Sequence, residues 1–247
     1  MSNRKTIFAA IRDARPDRRI PGELVQPIDA ALTAWGVPLD AVLSERLGEL
    51  SMKYETGHSP GQEALAAAKV SSGKGDPGGK SYGAYQLASL KGQVAKFLKA
   101  EGLRWAAELA GADPAKPGAF EQRWKAVAAR EPAAFFDAQH AYIERTHYQP
   151  VAEHAIANGL DVNAMPKAVR DAVWSMSVQH GGAKTIVSDA ILRLGGNRDP
   201  RTVLNALYDA RLAYVRGITL DARTRVSLVE RYASERADAI RMVGGGA

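Results

Sequence analysis

The chain has 247 residues, of which 46% are hydrophobic and 24% charged, and this is sufficient for a soluble domain with a substantial core. It contains no cysteine, which excludes disulfides, thiolate metal sites and a cysteine nucleophile. No run of about 18 apolar residues predicts a membrane-spanning helix. The formal charge of +6 favours an anionic partner, yet the sequence lacks the long basic run of a dedicated nucleic-acid surface.

Two helices are predicted at the N-terminus. Asn3 is a suitable cap for a short first helix, which ends before Pro16. A second helix is predicted over residues 23–35 and ends at Gly36. We therefore expect residues 1–36 to form a helical appendage and residues 37–247 to form the main domain, unless the two are continuous.

A third helix leads into the most informative segment of the chain. Its apolar residues recur every three to four positions and are Val42, Leu43, Leu47, Leu50 and Tyr54. The helix reaches Glu55 and stops at Gly57. A short alanine-rich stretch follows, and then residues 71–87 contain several glycine turns, which predicts a small β-hairpin.

Helical patterns occupy the remainder of the chain. They cover residues 90–109, 119–129, 132–158, 166–179, 185–194, 199–215 and 223–242. Pro150 is expected to break the third of these, and Pro166 suits the first turn of the fourth. The predicted fold class is mainly α, with a small β-hairpin lobe.

Glu55 and Asp76 are the candidate catalytic residues. A carboxylate at a rigid helix end, facing a turn-rich segment that carries a second carboxylate, suits cleavage of a glycosidic bond. Burial beside aromatic residues would raise the pKa of Glu55, as a general acid requires. The alternatives are a solvated helix end for Glu55 and a turn role for Asp76, because Asp-Pro-Gly-Gly is a common turn sequence.

Two further patterns bear on binding chemistry. The segment Gly79-Lys80-Ser81 resembles the end of a phosphate-binding loop, but position 74 is lysine where that motif needs glycine. Three histidines recur every seven residues, at positions 140, 147 and 154, which is typical of a packing or surface face. No metal site and no cofactor are predicted.

These motifs resemble the lysozyme-like superfamily. Glu55-Thr56-Gly57 is similar to the Glu-Ser-Gly element of lytic transglycosylases and goose-type lysozymes, in which the glutamate is the catalytic acid. Residues 83–87 resemble the G-x-x-Q element that lines the cleft of these enzymes, and residues 75–83 resemble the Asp-bearing loop of chitosanase-like members. Trp174-Ser175 with Gln179-His180 resembles the cleft helix of phage-associated peptidoglycan hydrolases.

The resemblance implies a phage-type peptidoglycan hydrolase, a glycosidase that cuts the β-1,4 bond between N-acetylmuramic acid and N-acetylglucosamine. Glu55 would be the proton donor, and Asp76 would act on water or on the developing positive charge. The implied substrate-binding residues are Ser81, Tyr82, Tyr85, Gln86, Trp174, Gln179 and His180. The expected partners are bacterial peptidoglycan and an anionic envelope surface.

Several alternatives stay open from the sequence. Thr56 replaces the serine of the superfamily motif, and no Ala-Tyr-Asn-Ala-Gly element is present, so transglycosylation is as open as hydrolysis. A chitosanase-like glycosidase, a non-catalytic wall-binding module and a nucleotide-binding protein are further alternatives. The N-terminus does not resemble a secretory signal peptide. We therefore expect a protein that is cytoplasmic until released, or one that travels with a virion or a secretion machine.

Overall fold

The computed structural model describes residues 47–56, 62–179 and 181–244, together with positions 7, 8, 11, 14, 20, 24, 25, 27, 28, 31 and 32. For Glu55 and Thr56 it describes the backbone alone. The chain divides into two compact units, residues 1–46 and residues 47–247. Most of the two predicted N-terminal helices, and the predicted boundary at Gly36, lie outside the described residues.

The described residues of the second unit form helices and one small sheet. Its α-helices are α1 (Glu49–Ser51), α2 (Glu63–Ala68), α3 (Gln93–Leu98), α4 (Ala106–Leu109), α5 (Ala119–Arg130), α6 (Pro132–Ile143), α7 (Gln149–Ala157), α8 (Lys167–Gln179), α9 (Ala183–Leu194), α10 (Pro200–Gly217) and α11 (Ala222–Gly244). Short 3₁₀ helices span Leu103–Trp105 and Val162–Ala164, and π-helices span Met52–Thr56 and Glu144–Tyr148. The predicted mainly α architecture is confirmed.

The predicted hairpin is present and short. Strands β1 (Ser81–Tyr82) and β2 (Leu87–Ala88) pair antiparallel, with Tyr82 opposite Leu87. The turn between them contains two residues with positive φ, Gly83 at 77° and Gln86 at 50°. Glycine adopts this backbone conformation readily, whereas glutamine adopts it at a cost.

The core has α8 at its centre. Residues 168–177 of this helix are almost completely buried, because α9, α10 and α11 pack around it together with α1 and the second π-helix. A second part of the core surrounds Trp124 of α5, whose ring centroid lies 4.6 Å from that of Phe135 and 5.3 Å from that of Tyr82. The Trp124 indole donates a hydrogen bond to the carbonyl oxygen of Ala67, so α5 is joined to α2.

Two of the predicted helices are interrupted, and in the helix expected to lead into Glu55 the residues Leu47 and Gly48 are not helical, the φ of Gly48 being 94°. The helix expected over residues 90–109 ends at Leu98, and a 3₁₀ turn and α4 follow Gly102, whose backbone lies against the ring of Phe97. The helix expected over residues 132–158 contains a π-helical turn directly before α7, where Pro150 cannot continue the regular hydrogen-bond ladder. Of the helices that the structure describes, none is both long enough and apolar enough to cross a membrane.

Candidate functional site

A cluster of aromatic side chains forms around Trp174 of α8. The imidazole of His140 stacks on the indole, with ring centroids 4.4 Å apart and planes inclined by 12°. Tyr85, in the hairpin turn, lies with its hydroxyl 2.7 Å from Nδ1 of His140. The Tyr148 ring centroid is 5.5 Å from that of Trp174. The hairpin, α6, the second π-helix and α8 therefore meet at this cluster.

Ionisable and polar groups of the second π-helix adjoin this aromatic cluster. Burial raises the pKa of the Glu144 carboxyl and lowers that of the His147 imidazole, so both groups are shifted toward their neutral forms. Among the described residues, the buried atoms Tyr148 Oη and Trp174 Nε1 have no hydrogen-bond partner. Trp174 and Tyr148 are themselves buried, so the region combines a packed aromatic cluster with two polar atoms that lack a partner in the part of the chain that the structure describes and two ionisable groups shifted toward neutrality.

Asp171 fixes the start of the second unit to α8. Its buried carboxylate accepts hydrogen bonds from the backbone amides of Gly48, at 2.5 Å, and Leu50, at 2.9 Å. Burial raises the pKa of Asp171 to about 6, although the two amides and the nearby Lys167 act in the opposite direction. The carboxylate therefore serves as a cap for the first turn of α1 from a helix more than a hundred residues away.

Gly48 occupies a position that suits glycine alone. Its φ is 94°, and a Cβ atom built on it would lie 2.9 Å from Nε1 of Trp174. Both the backbone conformation and the contact exclude a side chain. The first turn of the unit is consequently packed directly against the central tryptophan of the aromatic cluster.

The π-helix Met52–Thr56, which contains Glu55, is held by the C-terminal helix. The Lys53 ammonium and the Tyr54 hydroxyl lie 2.5 Å and 2.6 Å from the same carboxylate oxygen of Asp238 in α11. These contacts hold the two residues that directly precede Glu55 against α11. The Glu55 side chain lies outside the described residues, so its proposed role stays a prediction.

Asp76 occupies a turn at the surface. Its Oδ1 accepts a hydrogen bond of 2.7 Å from the backbone amide of Gly78, and its carbonyl oxygen accepts one of 2.9 Å from Gly79. This is the local side-chain hydrogen bond expected of aspartate in an Asp-Pro-Gly-Gly turn. Any role for Asp76 beyond this turn stays a prediction.

The hairpin residues predicted to bind substrate are engaged within the protein. Ser81 is buried, and its backbone amide donates to Oγ of Ser71. Tyr82 is fully buried and donates its hydroxyl hydrogen to the carbonyl oxygen of Pro114; burial raises the pKa of its hydroxyl to about 12. The amide nitrogen of Gln86 donates to the carbonyl oxygen of Gly83 across the turn.

The structure brings only some of the predicted residues together. Tyr85 and Trp174 are neighbours, with ring centroids 6.2 Å apart, whereas the Tyr82 ring packs 5.1 Å from Phe120 in the other part of the core. Gln179 belongs to a buried polar network, in which its Oε1 accepts from the Tyr232 hydroxyl at 2.9 Å. His180 lies outside the described residues.

That network contains an ion pair that sequence reasoning missed. Arg211 of α10 and Glu235 of α11 are 2.8 Å apart, and both side chains are fully buried. Arg211 also donates to Gln179 and to Ser175 of α8. No motif marks such a pair, because the three helices are joined by side chains far apart in sequence. Asp171 was also missed; its position between the apolar pairs Ala168-Val169 and Ala172-Val173 was the available signal.

Comparison with known proteins decides the family. The model of the family described as "type VI secretion system spike protein VgrG3-like, C-terminal" matches residues 47–236. The chain belongs to this family. It is also 34% identical, over 171 residues, to the type VI secretion system spike protein VgrG3 of Vibrio cholerae serotype O1. The alignment covers 69% of this chain and 16% of that relative, so the chain matches only a small part of it.

This membership corrects the resemblance to the lysozyme-like superfamily. The matches are to the VgrG3-like C-terminal family and to a secretion spike protein, not to phage endolysins, lytic transglycosylases or chitosanases. The predictions of phage-type peptidoglycan hydrolysis and of a muramidase-type glycosidase were made from that resemblance, and they are corrected with it. The short motifs on which the resemblance depended occupy a small fraction of the matched region.

Proposed function

We propose that this chain acts as a domain carried by a type VI secretion system spike, and that its partners are components of that secretion system. The observation that carries the proposal is the family match over residues 47–236, which begins where the second compact unit begins. A unit with its own core can be attached to a spike without depending on the spike for folding.

The internal contacts of the unit support this role. Its first turn is capped by Asp171 of α8, and its last helix is joined to α8 and α10 through Glu235 and Arg211. Both ends of the matched region are therefore tied to the same central helix. Such a unit is expected to travel as one folded piece.

The test is a secretion experiment. Residues 47–247 replace the corresponding C-terminal region of Vibrio cholerae VgrG3, with an epitope tag, and the tagged chain is measured in the culture medium. We expect secretion that is lost when the type VI system is inactivated, while a tagged cytoplasmic protein stays in the cells of both strains. Two results would contradict the proposal. The first is equal secretion of the tagged chain with and without an active type VI system. The second is retention of the tagged chain in the cells under conditions in which the unmodified spike is secreted.

A further inference from the structure

The positive charge of the chain is concentrated in one short region, residues 69–99, which we name the lysine lobe. This region contains six lysines and one acidic residue, so it carries +5 of the net +6 of the whole chain. The lysines are Lys69, Lys74, Lys80, Lys91, Lys96 and Lys99. The remainder of the chain is nearly neutral, and its charge is therefore strongly polarised along the sequence.

In the part of the chain that the structure describes, one of the six lysines is buried in an ion pair. Lys80 is buried, and its ammonium lies 3.1 Å from a carboxylate oxygen of Glu121. The other five lysines are exposed, and none of them forms an ion pair with a residue that the structure describes. Five exposed like charges in one short region repel one another. Their concentration is explained by an external anionic partner.

Two of the exposed lysines and an exposed leucine share one end of the hairpin. Lys74 follows Gly73, whose backbone lies against Gly79. A Cβ atom on Gly79 would in turn lie 2.7 Å from Leu90, and Lys91 follows in sequence. Leu90 is 65% exposed and is the residue directly before Lys91. This end of the lobe therefore presents an apolar side chain next to Lys91, with the turn that carries Lys74 close by.

We propose that the lysine lobe docks on an anionic lipid surface. Lysine is a compact charge on a flexible stem and suits the diffuse negative potential of lipid headgroups, whereas arginine suits bidentate recognition of single phosphates. The lobe contains no arginine. Of its three aromatic residues, Tyr82 and Phe97 are buried, and Tyr85 is half-buried with its ring beside His140 and Trp174, so the lobe offers little of the stacking surface that single-stranded nucleic acids need. Leu90 supplies the apolar group that enters the headgroup boundary.

This inference does not depend on the proposed transport by a secretion spike. It concerns a surface of the purified chain, and it can be tested without any secretion machinery. A negative secretion result would not affect the lipid-binding proposal, and a negative vesicle result would not affect the transport proposal.

The test is sedimentation of the full chain with vesicles. We expect binding to vesicles of phosphatidylcholine with phosphatidylglycerol, no binding to phosphatidylcholine alone, and weakening as the salt concentration rises. The double substitution Lys74→Gln and Lys91→Gln should lower the partition coefficient about 25-fold, because each lysine at an anionic surface contributes about fivefold. The matched control, Lys184→Gln with Arg216→Gln, removes two exposed charges outside the lobe and should change binding less than about twofold.

Further variants test the apolar contact and provide a second pair of lysines. Leu90→Ser should weaken binding without changing its salt dependence, because it removes the apolar contact alone. If circular dichroism shows that the first double variant is unfolded, Lys96→Gln with Lys99→Gln takes its place. Equal losses in the lobe variant and the control, absence of binding to anionic vesicles, or tighter lysine-dependent binding to a single-stranded oligonucleotide than to vesicles would each overturn the proposal.

Discussion

Replacing Glu235 with leucine should destabilise the domain severely, because Arg211 would keep a buried charge without its counter-ion. The Arg211 guanidinium is fully buried and lies 4.1 Å from the ring centroid of Tyr232. Its remaining partners are the neutral acceptors Ser175 and Gln179. Removing one partner of a buried ion pair typically costs about 3–5 kcal/mol. In a domain of this size, that corresponds to a fall in Tm of about 10 °C.

The partner substitution Arg211→Met should be less severe. Burial alone would raise the pKa of Glu235, but the pKa is lowered on balance by Arg211, Ser175 and the second cation, Arg231. Arg231 lies 3.5 Å from Glu235 and remains in the variant. Removing both charges at once, in Glu235→Leu with Arg211→Met, should restore most of the stability, because no unpaired buried charge is left.

The measurement is urea unfolding of all three variants, followed by circular dichroism at pH 7 and analysed as a double-mutant cycle. A variant that fails to fold is replaced by Glu235→Gln, which keeps the shape and an acceptor but removes the charge. The reasoning is refuted if Glu235→Leu loses less than about 1 kcal/mol, or if the two single effects simply add in the double variant.

Three further predictions concern the first turn of the unit and its supports. Gly48→Ala should cost about 1–3 kcal/mol more than Gly92→Ala in thermal unfolding, because both have positive φ but only Gly48 lacks space for a side chain; equal losses would contradict this. Because burial raises the pKa of Asp171 to about 6 from 3.8, the folded chain holds a proton that the unfolded chain has released between these values. Asp171 therefore adds to the free energy of unfolding below pH 3.8, and this contribution is lost as the pH rises through 6. In urea unfolding, Asp171→Asn should lack this decrease between pH 3.8 and 6. A variant whose free energy of unfolding varies with pH as in the unmodified chain would refute this. Asp238→Ala should accelerate amide hydrogen exchange in Met52–Thr56 about fivefold, with α9 as the internal control, since about 1 kcal/mol of contact energy is removed; unchanged exchange there would argue against the clamp.

Much of the helical architecture could be predicted from sequence, because the relevant signals are local. Pro166 directly precedes α8, and two glycines follow close after its end at Gln179, so both limits were visible as helix signals. The break in the helix expected over residues 90–109 was less visible, because it depends on Gly102 packing against Phe97. The spacing of apolar residues in the sequence cannot predict this contact between the Phe97 ring and the backbone of Gly102.

The site was harder to predict because it depends on contacts between distant helices. Tyr82 and Tyr85 are three residues apart and were expected to line one cleft, but the hairpin turn directs their rings toward different neighbours, Phe120 and Trp174. His140 was interpreted as part of a packing or surface stripe, and its stack on Trp174 emerges only when α6 and α8 are placed together. A period of seven residues indicates a common face but not what that face contacts.

The motif that suggested a lysozyme-like family has a local explanation in this fold. A Cβ atom on Gly83 would lie 2.2 Å from Oε1 of Gln139, and that oxygen accepts a hydrogen bond from the amide of Ala84. Gln86 is bound to the carbonyl oxygen of Gly83 within the same turn. The Gly-x-x-Gln spacing is therefore explained by a tight turn that packs on a helix. Such a turn can occur in proteins with different activities, so the spacing alone does not identify a chemistry. A long match over residues 47–236 tests many such turns and helices together, and it can therefore assign a family where four residues cannot.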